Sequence, residues 1–168
     1  IIDRVKPSGT LISFDVNYRS KLWAPSMAQK ILAPIVEKVD VLICSLTDAA
    51  TVFQVQAADA EDVAKGLHQT YCNQTVVLTM ADKGALAFDG KTIWYQDAYE
   101  AAIVDRIGRG DSFSAGFLYG FLHHDTPTGL KYGNAMAALN QTLKGDFFWC
   151  GREEVEQLIA GHSKTLDR

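Results

Sequence analysis

Short apolar, β-rich runs alternate with stretches of helical periodicity along this chain, and that alternation restricts the fold more than any other feature. The runs are Thr10–Phe14, Val41–Cys44 and Thr75–Thr79. They are too short for helices and nearly free of charge, as strands buried on both faces are. Between the first two, Ser26 is placed to cap a helix carrying Ala28, Ile31, Leu32, Ile35, Val36 and Val39 on one side. A short helix is expected over 47–53. Another should be capped by Asp59, with Val63, Ala64, Leu67 and Tyr71 facing inward. This succession predicts parallel strands joined by crossover helices, an α/β fold. Leu86–Phe88 and Thr92–Tyr95 flank Asp89-Gly90, which predicts an antiparallel hairpin at the sheet edge. Ala102–Val104 reads as one more short strand. A helix should begin at Gly110 with Phe113, Phe117, Leu118, Phe121 and Leu122 inward. A second runs through Leu130, Ala135, Ala138 and Leu139 and ends near Gly145. A last one covers Glu153 to Ile159.

Composition narrows the function classes. The chain has 168 residues, 48% hydrophobic and 21% charged, which suits a single globular domain and excludes disordered and coiled-coil classes. No apolar run is long enough to span a bilayer. Sixteen Lys and Arg against 20 Asp and Glu leave a net charge of −4, a poor balance for nucleic acid or an anionic membrane. Cys44, Cys72 and Cys150 form no C-x-x-C pair and read as small buried hydrophobes in a reducing, cytoplasmic setting. His68, His123, His124 and His162 have no ligand spacing with acids or cysteines. The start at Ile1-Ile2-Asp3, with neither Met nor a leader, suggests a piece of a longer protein.

Parallel α/β sheets place ligands beyond the carboxyl ends of their strands. Attention falls on Asp15, Asn17 and Arg19, on Ser45 and Asp48, on Thr79 to Gly84, and on Asp105 to Asp111. The last of these, Asp105-Arg106-Ile107-Gly108-Arg109-Gly110-Asp111-Ser112-Phe113, sets close glycines and an acid at the start of an apolar helix. Amides of such a turn, with the helix N-terminus, form a donor set for an anion. Asp111 has two readings here: a helix cap, or a general base beside a held phosphate. Arg109-Gly110-Asp111 also spells an integrin-binding tripeptide, which the lack of a leader and of disulfides and the expectation of a buried helix start argue is accidental.

That stretch resembles the C-terminal signature D-T-x-G-A-G-D-x-F of the ribokinase-like (PfkB) carbohydrate kinases. Asp105, Gly108, Gly110, Asp111 and Phe113 match it, while Arg106 and Arg109 depart from it. Ser114–Gly120 is similar to the family's following helix. Asp15-Val16-Asn17-Tyr18-Arg19 resembles the D-x-N-x-R segment of 2-keto-3-deoxygluconate kinases and fructokinases. Ser45-Leu46-Thr47-Asp48 falls at the N-x-x-E position. Val77–Ala85 resembles the V-x-T-x-G-x-x-G turn, with Ala81 in place of the first glycine. Asn134–Thr142 and Gly145-Asp146-Phe147 are similar to the helix beside the adenine and to the G-D-F ending of keto-deoxygluconate kinases.

The resemblance covers nearly the whole chain and only the C-terminal part of a three-layer ribokinase-like fold, without the N-terminal sugar-binding part and the lid. It implies ATP and Mg²⁺ as cofactors and a sugar acid as substrate, first of all 2-keto-3-deoxygluconate, phosphorylated on its 6-hydroxyl. A fructokinase or other hexose kinase, and a non-catalytic nucleotide-binding relative, are the alternatives. The family roles fall on Gly108, Arg109, Gly110 and Asp111 for catalysis. They fall on Asn17, Arg19, Ser45, Thr79, Lys83, Gly84 and Asn134 for the nucleotide, on Arg19, Asp111 and Asp146 for the substrate, and on Asp48 for the metal. The segment alone is expected to turn over little substrate. A homo-oligomeric parent is compatible with the resemblance, since family dimers often form through the lid.

Overall fold

The computed structural model describes residues 1–55 and 57–161. They group into two compact units, one of residues 1–81 with 86–94, the other of 82–85 with the chain from Tyr95 onward. The elements in order are α1 (Ile2–Val5), β1 (Ser13–Asp15), α2 (Pro25–Val36), β2 (Val41–Ser45), α3 (Leu46–Val52), α4 (Ala60–Tyr71) and β3 (Thr75–Thr79). There follow β4 (Ala85–Phe88), β5 (Ile93–Gln96), α5 (Arg109–His123), α6 (Thr126–Gln141) and α7 (Arg152–Ile159). The sheet has five strands in the order β1-β2-β3-β4-β5. β1, β2 and β3 are parallel, with Asp15 beside Ile43 and Ser45 beside Thr79. Asp89 N–H meets the Thr92 carbonyl where β4 turns into β5, the hairpin that Asp89-Gly90 announces. Among the described residues no helix is long and apolar enough to cross a membrane.

In the first unit β2 and β3 are buried on both faces, as their unbroken apolar runs require. Val36, Leu32, Val52, Leu67 and Val63 of the helices close over them. Each such side chain, fully buried, contributes about 1.5–3 kcal/mol. Two polar groups tie the unit together. Asn73, buried behind α4, donates to the carbonyls of Val36 and Val39 at 2.7 and 2.9 Å and so closes the C-terminal end of α2. Asp40, at the entry to β2, accepts from Lys6 Nζ at 2.9 Å and from Ile12 N–H at 2.9 Å. Burial pushes the Asp40 carboxyl up, but the Lys6 and Ile12 bonds outweigh it and hold it below the usual carboxylate value.

In the second unit α5 and α6 pack backbone to backbone. A Cβ on Gly116 would stand 2.6 Å from the Tyr132 carbonyl oxygen, and one on Gly120 2.7 Å from that of Thr128. Tyr132, Ala135, Leu139 and Val155 form a small core where α6 meets α7.

Several boundaries differ from the sequence reading. β1 starts at Ser13, not Thr10, because Ile12 N–H goes to Asp40 rather than to a strand. α2 is entered from Ala24 with Pro25 in its first turn, and Ser26 caps nothing. Ala102–Val104 forms no strand: Val104 and Asp105 donate to the Gln141 carbonyl at the end of α6, and Ile103 and Val104 are exposed. Ile31 and Leu122 are exposed rather than inward. Of the cysteines only Cys44 is buried; Cys72 is exposed and Cys150 half-buried.

Asn73→Ala should lower the stability of the chain by about 2 kcal/mol, since two buried carbonyls lose their donor. Urea titration of wild type and variant measures this, and a midpoint unchanged within error would show that the bonds to α2 carry no net stability.

Candidate functional site

The first unit gathers polar groups at the carboxyl ends of its parallel strands. Asp15 ends β1 and accepts from Asn17 N–H at 3.2 Å, and Asn17 takes a left-handed φ of 43°. This is the Asx turn that Asn tolerates. Arg19 is exposed and donates to its neighbour's carbonyl, that of Tyr18, at 3.2 Å. Ser45 ends β2 and caps α3, its hydroxyl accepting from Asp48 N–H at 2.9 Å. Asp48 is therefore not the cap, and its carboxylate is left for other use in the first turn. Burial pushes the Cys44 thiol far up, and the carboxylates of Asp48 and Asp15 push it further. Asp15 closes β1 beside Ile43 of β2, and Asp48 stands in the first turn of the helix that follows β2. Half-buried carboxylate oxygen is the donor type that Mg²⁺ takes, with water filling the rest of its shell, so Asp48 fits such an ion. Among the described residues no three His, Cys, Asp or Glu converge on a metal position. His162 lies outside the described residues.

In the second unit the glycine turn precedes α5. Gly108 is the N-cap, in left-handed conformation at φ 76°. A Cβ there would also stand 3.0 Å from Asp146 Cα, so the position needs glycine twice over. α5 begins at Arg109, one residue earlier than expected. Asp111 is the third residue of its first turn, which excludes the cap reading. Among the described residues its exposed carboxylate has no hydrogen-bond or ion-pair partner. Ser112 N–H closes the first helical bond to the Gly108 carbonyl at 2.8 Å. The N–H groups of Arg109, Gly110 and Asp111 thus remain without an acceptor among the described residues. Over Gly110 nothing lies within 4 Å of where a Cβ would be. A glycine in a helical turn costs about 1 kcal/mol against alanine, and no contact among the described residues calls for it. The arrangement is an open donor set at the positive end of a helix dipole, able to hold tetrahedral oxyanions.

The turn is held by a residue whose role the sequence did not reveal. Asp105 accepts from Arg106 N–H at 2.7 Å, from Ile107 N–H at 3.1 Å and from Gly145 N–H at 3.1 Å. The Gly145 bond fastens the turn to the loop after α6. The family motif contains this acid, but its partner 40 residues away carries no local signal. Asp146 is exposed, with its backbone against Gly108. Arg109 is half-buried, its Nη1 3.5 Å from Gln141 Oε1.

The remaining candidates are placed more modestly. Lys83 is exposed in a single 3₁₀ turn, Ala81–Lys83. Ala81 sits at φ 55°, a conformation costing an alanine about 1–2 kcal/mol; this is the position where the family pattern has glycine. Gly84 is buried, and a Cβ on it would overlap the Gln96 carbonyl oxygen. Asn134 is buried, its Nδ2 donating to the Leu130 carbonyl at 3.0 Å and reaching that of Gln96 at 3.5 Å. Gly84 and Asn134 thus meet the same stretch of backbone. Phe147 and Trp149 are exposed and tilt against each other at 4.4 Å, while Phe148 packs on the α6–α7 core.

The bonds from Ile107, Gly145 and Arg106 hold the Asp105 carboxyl below its usual value. Its native form is favoured while the carboxylate is ionised. Its contribution is therefore complete above the ordinary Asp value of 3.8 and lost as pH falls through the lower, folded one. Asp105→Asn should remove this part of the pH dependence. Stability of wild type and variant measured from neutral pH down through that window should converge toward acid; parallel curves would show that the carboxylate is not the latch.

Comparison with known proteins gives the same frame. The model of the pfkB family carbohydrate kinases matches residues 2–148. A 2-dehydro-3-deoxygalactonokinase of Haloferax volcanii is 37% identical over 169 residues, covering 100% of this chain and 53% of the relative. The crystal structure of 2-dehydro-3-deoxygluconokinase from Thermotoga maritima superimposes with a TM-score of 0.85 at 30% identity, over 95% of this chain and 53% of that one. Fructokinase from Vibrio cholerae, crystallised with fructose, ADP and calcium, has the same fold with a TM-score of 0.83 at 23% identity, over 94% and 53%. The chain spans about half the length of these relatives. With a family match over most of its length and a glycine–aspartate turn built as described, the chain belongs to the pfkB carbohydrate kinases and has their ribokinase-like α/β fold.

Proposed function

We propose that the protein carrying this chain transfers the γ-phosphoryl group of ATP to a hydroxyl of a small sugar acid, and that residues 1–168 are the nucleotide-binding and catalytic part of that kinase. The observation that carries this reading is the start of α5: N–H groups of Arg109, Gly110 and Asp111 without acceptors, open space over Gly110, and an unpartnered Asp111 carboxylate among the described residues. Phosphoryl transfer asks mainly for positioning and for stabilisation of charge on the phosphoryl oxygens. The free N–H groups supply the second. Asp111 accepts the proton of the attacking hydroxyl as its oxygen bonds to the γ-phosphorus, and the bond from phosphorus to the bridging oxygen breaks, leaving ADP. Bound Mg²⁺ supplies charge neutralisation on the nucleotide phosphates, and Asp48 is the residue that would hold it.

Arg19 carries a planar fork suited to a carboxylate or phosphate, and Asp146, beside Gly108, is the acid assigned to substrate. For the nucleotide, Lys83 adds an exposed charge next to Thr79 and Gly84 in the chain. Ser45 and Asn134 already spend hydrogen bonds on α3 and α6, so with Asn17 they shape the backbone that meets it. The first substrate to test is 2-keto-3-deoxygluconate. The galacto form differs from it at a single carbon and has equal standing, since the Haloferax relative is named for it. A hexose kinase is the second reading, favoured by the fold shared with fructokinase. A cytoplasmic location goes with this reading, since ATP is the phosphoryl donor.

Two variants of the full-length protein test the site. Gly110→Val should abolish ATP binding measured by calorimetry while leaving circular dichroism unchanged, because a side chain enters the space left for phosphate; undiminished affinity refutes the placement. Asp111→Asn should lower kcat by about 10²–10⁴-fold with ATP affinity equal or slightly higher, since one negative charge is gone. Near-wild-type turnover with either epimer would reject Asp111 as the base and leave a binding module.

A further inference from the structure

Asn140 is fully buried, and neither its Oδ1 nor its Nδ2 has a hydrogen-bond partner among the described residues. Buried side-chain amides are as a rule hydrogen-bonded; Asn73 lacks a partner for Oδ1 only, while Asn140 lacks one for both atoms. The position of Asn140 follows from how α5 and α6 run past each other. Gly120 meets Thr128 and Gly129, Gly116 meets Tyr132 and Met136, and Phe113 meets Gly133. On α6 the contacting positions 129, 133 and 136 continue at helical spacing to 140. On α5 the same antiparallel register continues past Phe113 to Gly110 and Arg109. Arg109 confirms it by reaching Gln141, the neighbour of Asn140. Asn140 therefore lies on the α5-facing row of α6, level with the first turn of α5, the turn whose N–H groups are free.

We propose that Asn140 is a positioning residue: its amide holds an ordered water between α6 and the first turn of α5, and that water sets the height of the turn. This rests on the reading of the turn as the phosphoryl site. An amide gives a water both a donor and an acceptor, and carbonyls at the start of a helix keep a second lone pair for it. A water so placed needs two to four polar partners, and among the described residues no side chain takes up the Asn140 amide in its stead.

The test uses the full-length protein labelled with ¹⁵N only in asparagine, the Asn140 side-chain signal being assigned by its loss in Asn140→Leu. A cross-peak from its amide protons to bound water is expected; no such cross-peak in the folded protein overturns the proposal. Asn140→Leu should lower kcat by about 10- to 100-fold, the usual effect of a misplaced reacting group, with the KM for ATP changed less than about threefold, the signature of an interaction made only in the transition state. Asn140→Ser, whose hydroxyl can still bind water, should recover part of the loss and is the variant to read if the leucine variant does not fold. An unchanged kcat in folded Asn140→Leu, or a folded serine variant that turns over no better than the leucine variant, overturns the positioning role. Absence of turnover by the wild-type protein on every sugar acid and hexose defeats the kinase reading itself, and the water cross-peak then still decides the state of Asn140.

Discussion

The contact on which the second unit depends is the close approach of α5 and α6. Gly116, Gly120, Gly129 and Gly133 remove side chains from the seam, so that each helix lies on the other's backbone. Dispersion falls off steeply with separation, and helices this near gain contact that larger residues would deny them. The seam also fixes register. Once Phe113 sits over Gly133, the first turn of α5 falls beside the end of α6, and the loop after α6 arrives at Asp105. The glycine turn is thereby held from its far side by two groups, the Gln141 carbonyl at the end of α6 and the Gly145 N–H in the loop beyond it.

What the sequence made legible were features with local causes. β2 and β3 are continuous apolar runs because both faces are covered, and α4 announces itself by Asp59 capping and a single apolar face. The glycine–aspartate turn was visible for the same reason, since its conformation is written in adjacent residues. Features set by distant partners were not visible. β1 is shortened because Asp40 captures Ile12 N–H. Val104 looks like a strand residue, yet its N–H belongs to Gln141. Asn73 and Asp105 act across 37 and 40 residues. The apolar stripe of a helix tells which face is inward but not how wide the cover is, which is why Ile31 and Leu122 end in solvent.

The strand ends of the first unit show how charge and reactivity are kept apart. Asp15 and Asp48 stand around Cys44, and with burial they keep its sulfur in the thiol form. A thiol so held is neither nucleophile nor metal ligand.

The first turn of α5 has one more property. Gly108 is an N-cap without a side chain to cap with, and Gly110 comes two residues later with little preference for helix. The N-terminal end of α5 therefore has little helix preference of its own. An anion seated on its free N–H groups does for the helix what a serine or aspartate cap does elsewhere. Ligand and helix end then order each other, and occupancy adds to the stability of the native state in proportion to the logarithm of ligand concentration.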